Sequence, residues 1–130
     1  KEKFFLKDKE TFYNTGDLCI KKNNVYFIEG RNDSMVKIRG YRVDLNEIDN
    51  NVKKLNSIDL SYSYLSGGNK NPYIVTVFSS ENKEFINSVK KIIQINLPTY
   101  MVPKKLFQIK KIPFNKNGKI DRIFLKKRYQ

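Results

Sequence analysis

The run Tyr73-Ile74-Val75-Thr76-Val77-Phe78 constrains this chain more than any other feature. Every residue in it is apolar or β-branched, and the turn-rich Gly67-Gly68-Asn69-Lys70-Asn71-Pro72 precedes it. A run of that length without polar alternation reads as a central strand. Helix-period stripes bracket it. Leu45, Ile48, Val52 and Leu55 predict a helix over about 45–55, opened by Asp44 as N-cap with Glu47 three residues on. Phe85, Val89, Ile92 and Ile93 predict a second helix, which Pro98 prevents from continuing. Leu60 to Ser66 alternates Tyr62 and Tyr64 with serines and reads as a half-exposed strand. A further strand falls at Leu106–Ile109, and a short helix starts near Asp121. A small mixed sheet with two or three helices packed on it is an α+β domain.

Residues 1–32 form a β-rich lead. Lys21-Lys22-Asn23-Asn24 predicts a turn that sets Leu18-Cys19-Ile20 against Tyr26-Phe27-Ile28. Two strands bury too little to be stable alone, so this hairpin is expected to complete a sheet built elsewhere. From Val36 the pattern changes: Val36-Lys37-Ile38-Arg39 alternates apolar and basic, Gly40 interrupts, and Tyr41-Arg42-Val43 resumes. That predicts a bent strand pair with glycine at the turn.

Composition narrows the function. No apolar run approaches the roughly 20 residues that cross a bilayer. The N-terminal Lys1-Glu2-Lys3-Phe4-Phe5-Leu6-Lys7 lacks the apolar core of a signal peptide. Cys19 stands alone and there is no His, which excludes an intrachain disulfide and argues against a transition-metal site. A soluble cytoplasmic protein is expected. The net charge of +13 raises the alternative of a small basic nucleic-acid-binding or interaction module. Against it, 21 of the 26 basic residues are Lys, scattered along the chain, whereas bidentate phosphate recognition favours Arg.

Four segments carry chemistry. Thr15-Gly16-Asp17 puts a carboxylate after a glycine at the entry to a strand, where it can accept hydrogen bonds from two neighbouring hydroxyls; a plain Asx turn is the simpler alternative. Gly30-Arg31-Asn32-Asp33 sets a guanidinium beside a carboxylate in a short polar loop. Gly40 serves its turn or admits close approach of a ligand to the backbone. Asn117-Gly118-Lys119 sets a lysine after a glycine turn, and a compact ammonium on a long stem suits charge building up on phosphate and carboxylate oxygens. Leu97-Pro98-Thr99-Tyr100-Met101-Val102-Pro103 reads as a rigid apolar connection without catalysis.

Taken in order, Tyr13-Asn14-Thr15-Gly16-Asp17-Leu18, Gly30 to Val43, Leu97 to Pro103 and Asn117-Gly118-Lys119-Ile120-Asp121-Arg122 resemble the motifs of the adenylate-forming superfamily, in its amino-acid-activating branch. The resemblance spans about Tyr13 to Arg122. It implies that residues 1–32 are the terminal strands of a large N-terminal adenylation domain and 33–130 its mobile C-terminal domain. By the same resemblance Asp17 and Arg31 bind the ribose of ATP, Asp33 is the hinge, and Gly40 lines the pantetheine tunnel. Lys119 is then the catalytic lysine. The implied reaction joins an amino or other carboxylic acid to AMP, then passes the acyl group to a carrier-protein phosphopantetheine or CoA thiol. Mg²⁺ would be held mainly by the N-terminal domain, and residues 1–130 alone are expected to be inactive. Asn115-Lys116 departs from the family pattern, which more often has Thr or Ser followed by a small residue.

Overall fold

The computed structural model describes residues 4–31, 34–68, 70–82 and 85–130. The chain divides into two compact units between Met35 and Val36.

The first unit consists of two hairpins. Strands β1 (Phe4–Lys7) and β2 (Glu10–Tyr13) pair antiparallel, with Phe5 opposite Phe12. Strands β3 (Asp17–Lys22) and β4 (Val25–Arg31) pair in the expected place, with Cys19 opposite Ile28 and Ile20 opposite Phe27. Both hairpins turn on two residues with positive φ, Asp8-Lys9 and Asn23-Asn24. This is the type I′ geometry, whose twist matches that of the strands it joins. The first hairpin is not evident in the sequence, because Asp-Lys is not a usual pair for such a turn.

The second unit holds the core. A small hairpin of β5 (Met35–Ile38) and β6 (Tyr41–Asp44) leads directly into helix α1 (Leu45–Val52). Asp44 caps that helix by accepting from the Asn46 N–H at 2.9 Å. The helix stops at Val52, three residues short of the expected end, and Leu55 packs on the core from a turn. Strands β7 (Ser61–Ser66), β8 (Tyr73–Ser79) and β9 (Lys105–Ile109) form one sheet with β8 in the centre. The β7–β8 pair is antiparallel and the β8–β9 pair parallel, which makes the sheet mixed. Helix α2 (Phe85–Asn96) supplies the crossover that parallel strands require. A 3₁₀ turn at Thr99–Met101 follows, and helix α3 (Arg122–Arg128) closes the chain.

The two faces of β8 feed two separate apolar clusters, because successive strand residues point opposite ways. Ile74 and Phe78 join Ile38, Val43, Ile48, Val52, Val89 and Ile93 on the face covered by α1, α2 and the β5–β6 hairpin. Val75 and Val77 join Tyr64, Ile112 and Leu125 on the face covered by α3. The expectation that β7 is half exposed fails for this reason. Ser61 and Ser63 lie against α1 and Tyr64 lies under α3, so all three are buried. Among the described residues no helix is long and apolar enough to cross a membrane.

Candidate functional site

Lys119 lies in a five-residue loop whose shape is set by Asn115. The Asn115 side-chain oxygen accepts from the Asn117 N–H at 2.9 Å and from the Lys119 N–H at 3.1 Å. The Asn115 N–H donates to the Lys119 carbonyl at 2.7 Å, and the Gly118 N–H donates to the Asn115 carbonyl at 3.0 Å. Gly118 supplies the left-handed φ of +70° that closes the turn. Beyond the loop, Phe114 bridges Ile120, Ile120 packs on the α3-side cluster, and Asp121 caps α3 through the Phe124 N–H at 2.9 Å. The backbone at Lys119 is therefore fixed on both sides, while its side chain stands in solvent. Asn115 departs from the motif in sequence; in the structure it organises the loop, as a side chain able to accept two backbone hydrogen bonds can.

Gly40 sits at the tip of the β5–β6 hairpin. Arg39 and Gly40 have φ of +48° and +87°, another two-residue turn of the primed kind. A Cβ added at Gly40 would meet nothing within 4 Å among the described residues, so among these the backbone angle alone calls for glycine. The turn belongs to the layer of α1 and α2, whereas the Lys119 loop belongs to that of α3.

In the first unit the structure brings two candidates together. Asp17 opens β3 directly opposite Arg31, the last residue of β4. The entry to β3 is held by short polar bonds: the Gly16 N–H donates to Asn14 Oδ1 at 3.0 Å, and the Asp17 N–H to Thr15 Oγ1 at 3.2 Å. Gly16 has a φ of +78°. Asp33, the expected hinge, lies outside the described residues.

One buried polar group carries no warning in the sequence. Asp49, 8% exposed, projects from α1 onto β7. It accepts from Ser61 Oγ at 2.8 Å, from Ser63 Oγ at 2.7 Å and from the Ser63 N–H at 3.2 Å, and Ser63 in turn shares a hydrogen bond with Thr76 on β8. Burial pushes the Asp49 carboxyl above the usual carboxylate range, against the lowering effect of Ser63, Ser61 and Lys53. A single Asp beside the apolar stripe of a helix gives no sequence signal, since it resembles any solvated helix residue. Among the described residues no three His, Cys, Asp or Glu side chains converge in a way that could hold a metal ion.

No protein-family model matches the chain. Curated relatives do. Bacitracin synthase 1 of Bacillus licheniformis is 40% identical over 93% of this chain, which covers 2% of that protein. A D-alanine–D-alanyl carrier protein ligase of Bacillus cytotoxicus is 33% identical over 92% of this chain, covering 25% of the ligase. Among solved structures, a four-domain nonribosomal peptide synthetase bound to AMP and glycine superposes with a TM-score of 0.65 at 29% identity, over 98% of this chain and 10% of the synthetase. The chain thus spans a quarter or less of the length of these relatives. With an α+β unit of matching fold and with identity along nearly its whole length, this chain belongs to the adenylate-forming superfamily, as the C-terminal part of an adenylation domain.

Proposed function

We propose that this chain supplies the closing strands and the mobile C-terminal domain of an AMP-forming, amino-acid-activating ligase. Residues 1–32 are assigned to the end of the large domain and 33–130 to the small one; the division of the chain near Met35–Val36 supports that split. In the first half-reaction a substrate carboxylate attacks the α-phosphorus of ATP, the bond to pyrophosphate breaks, and an acyl-adenylate forms. In the second, a phosphopantetheine thiol of a carrier protein, or that of CoA, gives its proton to solvent as sulfur attacks the acyl carbon, and AMP leaves with the electron pair of the broken C–O bond. Relatives that are a carrier-protein ligase and a peptide synthetase favour the carrier protein. They also favour this reading over a nucleic-acid-binding module.

Asp17 and Arg31 hold the ribose, and their cross-strand register supports a shared role. The Lys119 ammonium meets the charge that develops between carboxylate and α-phosphate oxygens. Rotation about Asp33 then withdraws it and brings the Gly40 turn to the adenylate. Mg²⁺ is assigned to the large domain, and no step is assigned to the ion here.

One observation carries the proposal. A domain that serves two half-reactions in succession needs two working edges, and here the hairpin that bears Gly40 packs on one face of the β7–β8–β9 sheet and Ile120, next to Lys119, on the other. The test is Lys119→Ala in the full-length parent. Loss of one preorganised charge donor typically costs about 10²–10³ in rate. ATP–pyrophosphate exchange falls by that factor, while thioester formation from supplied acyl-adenylate stays near the parent's. The exposed Lys116 serves as control. Equal behaviour of Lys116→Ala and Lys119→Ala, or equal loss of both half-reactions, refutes the assignment.

A further inference from the structure

We infer that Tyr100 is a positioning residue for the second half-reaction: its ring is the platform that fixes the Gly40 turn. This rests on the reading of that turn as the element that meets the thiol arm. The β5–β6 hairpin needs such support. Its strands are four residues each, they form a two-stranded sheet of their own, and a pair of that size is marginal by itself. Ile38, directly before the turn, and Val43 are buried in the core, but Arg39, Gly40 and Tyr41 lie in solvent, Tyr41 at 53% exposure. Ile38 holds the incoming side of the tip, and an aromatic stack holds the outgoing side. The Tyr41 and Tyr100 rings lie 4.2 Å apart between centroids and within 6° of parallel.

The two partners are held very differently. Tyr100 sits in the 3₁₀ turn Thr99–Met101, closed by the Met101 N–H donating to the Pro98 carbonyl at 2.9 Å and the Val102 N–H to the Thr99 carbonyl at 3.3 Å. Pro98 and Pro103 restrict φ on either side, and Met101 is buried in the core. Tyr41 opens β6 and has only the short β5–β6 hairpin as its backbone frame. It follows Gly40 directly, so immobilising its ring restricts the Gly40–Tyr41 peptide plane, the backbone that a thiol arm would pass. The Leu97–Pro103 segment, which reads in sequence as a connection only, thereby does more than connect. It presents a rigid ring to a glycine turn some sixty residues earlier in the chain.

The test uses the full-length parent and measures each half-reaction separately. Tyr41→Ala and Tyr100→Ala each lower thioester formation from supplied acyl-adenylate roughly 3- to 10-fold relative to ATP–pyrophosphate exchange, the size expected for one aromatic pair. The double variant is no slower than the single ones. Tyr41→Phe and Tyr100→Phe restore the rate, because the ring and not the hydroxyl makes the stack. Tyr41→Ala guards against a folding artefact, since that ring is largely in solvent. An equal fall in both half-reactions, no fall, or failure of the Phe variants overturns the inference. Gly40→Val separates the two levels of argument. If it leaves thioester formation intact, the reading of the turn fails and takes this inference with it. If Gly40→Val stops thioester formation while both alanine variants keep it, the stack alone is refuted.

Discussion

The Gly40 turn and the Lys119 loop use the same backbone device and are secured by opposite means. Each places a glycine at positive φ with open space where a Cβ would be. The Lys119 loop is tied by hydrogen bonds among residues 115 to 119, whereas the Gly40 turn leans on a ring from a distant segment. The polar contacts behind them differ as well. On the Gly40 side the buried carboxyl of Asp49 joins α1 to the sheet. On the Lys119 side the Tyr64 hydroxyl shares its one proton between the carbonyls of Leu125 and Tyr129 and ties α3 down. One layer thus hangs on a carboxyl that burial pushes above the usual carboxylate range. The other hangs on a phenol whose burial pushes it up to about 12, so it keeps its proton at any ordinary pH.

The strongest way to break this contrast is to stop the exchange between the two edges. Asp33→Pro in the parent fixes φ where the proposed rotation occurs. One half-reaction then falls by roughly 10²-fold, the size expected when reacting groups are misplaced, and the other far less. Rapid-quench measurement of each half-reaction checks it, and equal losses mean that the hinge is elsewhere.

Next in size is Asp49→Ala. It leaves the Ser61 and Ser63 donors without their acceptor in a buried site, which costs about 2 kcal/mol in denaturant unfolding. The pH dependence sharpens the point. The folded-state pKa of Asp49 lies above its unfolded value, near the ordinary 3.8. Its contribution is therefore full below that value and is lost as pH rises through the folded-state pKa. Asp49→Asn, which cannot ionise, should gain on the parent as pH rises through this window. A constant difference between the two would contradict the assigned shift.

Asn115→Ala removes the acceptor of two backbone N–H groups in an exposed loop, a loss of about 1 kcal/mol in positioning, or roughly fivefold in adenylation rate. Thioester formation should hardly respond. Smallest is Tyr64→Phe: about 0.5–1.5 kcal/mol of stability from the lost donor, with no dependence on pH between about 5 and 9.

What the sequence discloses follows from which forces leave a local trace. Turns written in Asn23-Asn24 and Gly40, the cap at Asp44, the strand at Tyr73–Phe78 and the α3 start at Asp121 are all legible, because each depends on a few neighbouring residues. The first hairpin hides behind Asp8-Lys9, whose positive φ values are not advertised by either residue. Which strand pairs parallel with β8, and the burial of β7 on both faces, are not legible, since they are set by elements that meet only in the folded chain. At the candidate site, motifs point to Lys119, Gly40, Asp17 and Arg31. They do not point to Asn115, Asp49 or the Tyr41–Tyr100 stack, because the roles of those residues lie in their partners and not in residue type.

The self-contained clamp at Asn115 also bears on turnover. Ordering a residue's backbone costs on the order of 1–2 kcal/mol. A loop that kept its shape only while docked would meet that cost at every approach to substrate. The bonds from Asn115 to Asn117, Gly118 and Lys119 all lie inside the loop, so they travel with it and need not be remade. Under the proposed rotation Lys119 would arrive already shaped, and what would remain to be organised at each stroke is the side chain alone.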